Sequence, residues 1–201
     1  EMGGPMDLHL SAGSATTVRD LLHMMITVSD NNATDILIRL GGGTTAVNAR
    51  MQALGISGMR VDRYIWELLA NYRGNDASQA KPMGPAAYAE LSRSERSEEL
   101  RRGHTNAWNE DPRDTSSARA MAALLQKVWR GEVLQPGSTK LLQDIMLDTR
   151  TGSARLRGML PKETPVAHKT GTVGDVINDV GVITLPGGRG HAIVTVFVQS
   201  R

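Results

Sequence analysis

The sequence predicts an α+β protein: a mainly helical stretch, residues 1–160, packed on an antiparallel sheet built from residues 161–201. Three observations carry this. Capped segments of helical period recur along the first stretch. After Pro165 the pattern changes to runs rich in β-branched residues. The last two runs are joined by Pro186-Gly187-Gly188-Arg189-Gly190, a hairpin turn.

The elements follow in order. Thr17-Val18-Arg19-Asp20 reads as a capping box, with Thr17 as N-cap and Asp20 reaching back. The helix after it runs to about Val28, with Leu21, Leu22, Met25 and Val28 on one face. Ser29-Asp30-Asn31-Asn32 breaks it, because short polar side chains compete for backbone hydrogen bonds. One of the two asparagines then caps a second helix, Ala33 to Leu40, stopped by three glycines at 41–43. A third helix spans Thr45 to Leu54. Arg63 to Tyr72 is helical, with Ile65, Leu68, Leu69 and Tyr72 facing inward. Loops at 74–84 and 103–114 flank a charged helix from Pro85 to about Arg102, where Glu98 and Glu99 beside Arg101 and Arg102 mark a solvated face. Helices follow from Ser116 or Ser117 to Trp129 and from Ser138 to Asp148, with a short one from Ser153 to Arg157. Val166–Thr172, Val176–Leu185 and His191–Gln199 are the strands, a thin sheet with an exposed edge.

Composition narrows the function. The chain has 201 residues, 40% hydrophobic but only 3% aromatic, so aliphatic side chains and 10 methionines must fill the core. A formal charge of +2 is too small to argue for nucleic acid. The absence of cysteine removes disulfides and thiolate metal sites. His9, His23, His104, His168 and His191 are too scattered to form a ligand set, so no metal or cofactor is expected. His168 is expected to pack or hydrogen-bond beside its strand, and Trp66, Trp108 and Trp129 to pack. The longest apolar stretches fall short of a membrane span, and no signal peptide is visible at the start.

Two tripeptides carry the chemistry: Ser29-Asp30-Asn31 at a helix junction and, 140 positions later, Lys169-Thr170-Gly171 on a strand. In this order they match two of the three signatures of the penicillin-recognising serine hydrolases; the third, Ser-x-x-Lys, supplies the nucleophile and would lie before Ser29. The chain resembles the class A β-lactamase family and its relatives, including penicillin-sensitive DD-peptidases of the same fold. The likeness extends over the segment from Thr17 to Asp35, over Asp111 to Ala122, and over Thr151 to Pro161. It covers most of the chain except residues 73–107.

The resemblance implies a β-lactamase/transpeptidase-like fold and a role for each matching residue. Ser29 relays a proton to the leaving nitrogen. Asn31 bonds the substrate's side-chain amide, and Asp30 is buried and structural. Lys169 supplies positive potential near the Ser29 hydroxyl, and the Thr170 hydroxyl binds the substrate carboxylate. Gly171 lets the ligand approach the strand, and the backbone of Thr172 gives one oxyanion-hole bond. Arg155 stands where some members place an arginine that grips the carboxylate; a surface arginine is the alternative.

Arg63 and Asp114 resemble the salt-bridged neck of the family's omega loop. They lie about 50 positions apart, wider than in the family, so the loop carries an insertion at about 73–107. Ile65 stands where the water-activating glutamate belongs. Glu67 with Asn71 keeps the Glu-to-Asn spacing, displaced by two positions; an exposed helix glutamate is the alternative. Ser78-Gln79-Ala80-Lys81 matches Ser-x-x-Lys literally, but Pro82 disfavours the helical turn that the motif needs.

The expectation is a single β-lactamase-like domain over 1–201, a central fragment whose site lies between the helical part and the sheet. The attacking serine would come from a missing N-terminal segment or a second chain. The expected function is a periplasmic or secreted serine acyl hydrolase acting on small-molecule β-lactams. One rival is a DD-peptidase or esterase with slow deacylation; another is a catalytically silent ligand-binding or sensor domain.

Overall fold

The computed structural model describes residues 13–72, 108 and 110–199 of the chain. The expected charged helix from Pro85 to Arg102, the loop insertion at 73–107, the Ser78–Lys81 match, His9 and His104 lie outside the described residues. Those residues hold six helices: α1 (Val18–Thr27), α2 (Asn31–Leu40), α3 (Gly43–Ala53), α4 (Ile65–Tyr72), α5 (Ala118–Trp129) and α6 (Pro136–Leu147). Three strands follow, β1 (Val166–Val173), β2 (Val176–Thr184) and β3 (His191–Gln199). Among the described residues no helix is long and apolar enough to cross a membrane.

The chain divides into two compact units. The first takes the described residues of Glu1–Met25, Asp30–Asn48 and Arg60–Asp114; the second takes Ile26–Ser29, Ala49–Met59 and Thr115–Arg201.

In the first unit, α1 starts from the expected capping box. Asp20 N–H donates to Thr17 Oγ1 at 3.1 Å, and Thr17 N–H donates back to Asp20 Oδ2 at 3.3 Å. The cap of α2 differs from expectation. It is Asp30, not an asparagine: Asp30 is extended (φ −69°, ψ 122°), its carboxylate accepts from Ala33 N–H at 2.8 Å, and Asn31 is already helical. Four residues on, the buried Asp35 accepts from Ile65 N–H at 2.6 Å and Trp66 N–H at 3.2 Å. That carboxylate satisfies the otherwise orphaned first amides of α4 and fixes α4 against α2. The side chain of Asn48 pairs with the backbone of Val61, donating to its carbonyl at 2.6 Å and accepting from its N–H at 2.9 Å.

A buried arginine organises the rest of this unit. Arg63 is 6% exposed; its Nε donates to Asp114 Oδ2 at 2.5 Å and its Nη1 to Asp111 Oδ2 at 3.1 Å and Asn71 Oδ1 at 2.9 Å. The other Asp114 oxygen accepts from Asp62 N–H at 2.6 Å and Arg63 N–H at 3.1 Å, while Asp62 accepts from Asp114 N–H at 2.9 Å. The Trp108 ring lies 5.5 Å from the Arg63 guanidinium and edge-on to Tyr72.

The second unit is a sheet of order β1-β2-β3, antiparallel throughout, with α6 packed on β1 and α5 on β2 and β3. Leu125, Met146, Ala167, Val180 and Val182 form its buried core, with Ile26, Met121, Trp129, Leu142 and Ile193 around them. Ala167, Val180 and Val182 share one sheet face by register. On the opposite face His168 lies against Gly181; a Cβ there would sit 2.6 Å from His168 Cβ, so only glycine fits. Val196, Phe197 and Val198 near the end of β3 are exposed.

Residues 153–157 are not the short helix expected. Arg155 N–H bonds Gly152 O at 2.9 Å and Gly158 N–H bonds Arg155 O at 2.8 Å, consecutive three-residue turns in place of the helical ladder. Arg157 instead reaches out to Leu147 O and Val166 O, at 3.3 and 3.2 Å.

Arg63→Ala would take the guanidinium from the partly buried Asp114, while Asp111 keeps Arg113, so it should cost about 3 kcal/mol in urea unfolding; a loss below about 1 kcal/mol would mean the cluster is screened by solvent. The hydrogen bond from Arg60 holds the Asp62 carboxyl below its ordinary value, and that from Arg113, aided by Arg63, does the same for Asp111. Both folded pKa values lie below the unfolded one. Their stabilisation is therefore complete above pH about 4 and drains away as pH falls through the folded values.

Candidate active site

The site is built around a lysine in an awkward place. Lys169 lies in β1, half-buried, and its Nζ donates to Ser29 Oγ at 2.8 Å and to the carbonyl of Thr170. Ser29 reaches this position from the junction after α1. It adopts φ +57°, a conformation that non-glycine residues rarely hold and that commonly marks functional sites. Burial lowers the Lys169 pKa to about 8, Asp179 partly opposes the fall, and the nearby Arg155 charge adds to it. Near neutral pH the amine can therefore both carry charge and surrender a proton to an oxygen 2.8 Å away.

The strand beyond Lys169 is fastened to the turn segment that precedes it. Thr151 Oγ1 and Thr170 Oγ1 are 2.6 Å apart. Gly152 allows this approach, since with φ +70° a Cβ would stand 2.5 Å from Thr170 Cγ2. Arg155 Nη1 donates to Gly171 O at 3.1 Å and Asn178 O at 2.8 Å, and its Nη2 to Thr172 Oγ1 at 2.7 Å. Among the described residues, those bonds use three of the five guanidinium donors and leave two. Arg155 and Lys169 thus bring two cations to β1, near enough for the first to depress the pKa of the second, a setting that favours an anion.

Gly171 behaves differently from Gly152. A Cβ on it would meet Asn178 Cβ and Nδ2 at 3.6 Å, ordinary contact. Internal packing gives no reason for glycine at this position.

Of the residues singled out from the sequence, Ser29, Arg155, Lys169, Thr170, Gly171 and Thr172 lie together in the second unit. Asp30, Asn31, Arg63, Glu67 and Asp114 belong to the first. There Asp30 is fully buried as the α2 cap, Asn31 opens α2, and Arg63 and Asp114 pair. The Glu67 carboxylate accepts from Tyr64 N–H at 2.7 Å, closing the first turn of α4, and Asn71 accepts from Arg63. Among the described residues no group of histidine, aspartate and glutamate could hold a metal ion.

No role was expected for Thr149, Thr151 or Asp179. Thr149 donates to the carbonyl of His168, and the buried Asp179 accepts at the His168 ring nitrogen Nδ1, 2.8 Å away. A carboxylate amid the apolar residues of β2 was the available signal for Asp179. The threonines contact residues 19 positions away and leave no local pattern.

Lys169 should titrate with a midpoint near 8 when its side-chain carbons are followed by NMR. Arg155→Ala should raise that midpoint and Asp179→Asn should lower it. Because the folded pKa lies below the free value of 10.5, the unfolded chain binds the extra proton between pH about 8 and 10.5, and stability should rise with pH across that window. A midpoint near the free value would refute the buried placement.

The Beta-lactamase enzyme family matches residues 2–201. Beta-lactamase L2 of Stenotrophomonas maltophilia is 34% identical over 94% of this chain and 51% of its own length. Beta-lactamase VEB-1 of Pseudomonas aeruginosa is 30% identical over 96% of this chain and 55% of its own. The crystal structure of a beta-lactamase from Chitinophaga pinensis superposes with a TM-score of 0.74 at 30% identity, covering 98% of this chain and 62% of that one. The chain spans about half the length of the curated relatives it matches.

Proposed function

The chain belongs to the class A β-lactamase family, and on that premise we propose that it carries the substrate-binding and proton-relay part of a serine acyl hydrolase acting on β-lactams. The observation that supports this most is the 2.8 Å contact from Lys169 Nζ to Ser29 Oγ, with the lysine pKa lowered to about 8 by burial. In this reading the nucleophile is the serine of a Ser-x-x-Lys segment outside residues 1–201, and the whole protein works in the periplasm or as a secreted enzyme.

The reaction then runs as acyl transfer. The β-lactam carboxylate docks on Thr170 and on the remaining Arg155 donors, with Lys169 lending positive potential. Asn31 bonds the substrate's side-chain amide, and the Thr172 N–H helps hold the oxyanion as the serine, its proton passing to the lysine of the same Ser-x-x-Lys segment, adds to the carbonyl. When the C–N bond breaks, Ser29 gives its proton to the leaving nitrogen and Lys169 replaces it. Gly171 leaves room for the ligand along β1. Asp30 fixes the Ser29–Asn31 junction, and the Arg63–Asp114 pair holds the loop that would carry the deacylating base.

Glu67 is the residue assigned to activate water for deacylation. Its engagement with Tyr64 N–H favours a second reading, in which the acyl-enzyme is long-lived and the protein behaves as a penicillin-binding DD-peptidase or esterase.

Nitrocefin hydrolysis by the full-length protein separates the two: sustained turnover supports the first reading, and a stable acyl adduct in intact-mass spectra supports the second. Lys169→Ala should slow acylation by roughly a thousandfold; unchanged acylation would refute the site. Gly171→Ala should leave the melting temperature near wild type while raising KM, since the fold has space for the methyl group. Equal loss of stability and binding would show that the glycine serves packing instead.

A further inference from the structure

We propose that His168 and Asp179 are positioning residues for Arg155, holding its guanidinium where a substrate carboxylate is bound. This rests on the carboxylate-binding reading of Arg155 given above.

His168 and Asp179 are both buried, and by register Asp179 lies opposite Thr170 while His168 lies opposite Gly181. The two side chains are therefore diagonal neighbours on one face of the β1–β2 pair. His168 Nδ1 stands 2.8 Å from Asp179 Oδ1 and 3.1 Å from Oδ2. A buried carboxylate needs compensating donors, and Asp179 finds its second in the turn segment: Leu156 N–H donates to its Oδ2 at 3.2 Å. The carbonyl of the preceding residue, Asn178, accepts from Arg155 Nη1 at 2.8 Å. Two consecutive residues of β2 thus hold two consecutive residues of the turn, one by side chain and one by backbone.

The rest of the turn leaves Arg155 needing such an anchor. Consecutive turn bonds at 152–155 and 155–158 set the backbone direction without the ladder of a helix. An arginine side chain has many rotamers, and fixing its base lowers the entropy lost when the fork meets a ligand. Gly181 makes the arrangement possible, because any side chain there would displace His168.

The test uses the full-length protein and nitrocefin, which carries the carboxylate. Arg155→Ala is the reference. Asp179→Asn and His168→Phe are each expected to raise KM by roughly tenfold, the scale of one charge-assisted hydrogen bond, with kcat at its pH optimum within about twofold. His168→Phe leaves the Asp179 charge in place, so it separates positioning from the influence of that charge on Lys169. His168→Asn, whose amide can still donate to Asp179, should restore most of the loss. In an Arg155→Ala background the same substitutions should add little. If Arg155→Ala raises KM but the His168 and Asp179 variants do not, the positioning role is overturned and the reading of Arg155 stands. If Arg155→Ala itself leaves KM unchanged, that reading falls and the proposal falls with it. Equal losses with and without Arg155, or failure of all three variants to fold, overturn the proposal in favour of a purely structural pair.

Discussion

A lysine ammonium taken partly out of water beside a serine hydroxyl is the constraint on which the second unit is arranged. Its desolvation penalises the charged form, and the fold offsets only part of that penalty. Asp179 supplies a compensating negative charge, but its hydrogen bonds go to His168 and Leu156. Arg155, a second cation, lies close enough to depress Lys169 further. Two cations beside one strand repel each other, as the depressed Lys169 pKa shows. Such an arrangement becomes favourable when an anion is bound, which is the electrostatic sense of the proposed carboxylate site.

That site needs a strand held firmly from one side, and the 149–157 segment does this almost entirely with side chains. Arg157 takes the carbonyl of Val166, Thr149 that of His168, and Arg155 that of Gly171, while Thr151 meets the Thr170 hydroxyl. Side-chain bonds of this kind satisfy backbone carbonyls of β1 without adding a neighbouring strand. They also transmit position, since each fastens one residue of β1 to a particular residue of the turn. In the first unit buried carboxylates play the comparable part, with Asp30 capping α2 and Asp35 capping α4 from a neighbouring helix.

What was legible in the sequence follows the range over which each signal acts. The Thr17–Asp20 box, the strands after Pro165 and the Pro186–Gly190 turn are specified by residues within a few positions, and each was read close to its observed bounds. The cap of α2 is Asp30 rather than either asparagine, since Asp and Asn share cap chemistry and only the extended backbone of Asp30 and its bond from Ala33 N–H distinguish them. The 153–157 turns were misread because their composition permits a helix, whereas bonds from Arg155 and Leu156 to β2 pull the backbone elsewhere. The motif residues Ser29, Lys169, Thr170 and Gly171 stood out from short spacing. Thr151 and Asp179 did not, because their partners are brought close only by the fold.

Residues that the fold itself explains are weak witnesses to function, and those it does not explain are stronger ones. Gly152 and Gly181 are required by contacts that a methyl group would violate, so packing accounts for both. Gly171 meets no such obstacle, so packing does not account for it, and this supports the proposed approach of a ligand there. Glu67 stands at the opposite pole. Its carboxylate already closes the first turn of α4 through Tyr64, a sufficient reason for a glutamate at that position. The assignment of a water-activating role to Glu67 therefore rests on spacing alone, whereas the Lys169–Ser29 contact joins two polar groups across 140 positions, with one of them partly desolvated and the other on a strained backbone. No need of the fold accounts for that contact, and it is therefore the chief support for the proposed proton relay.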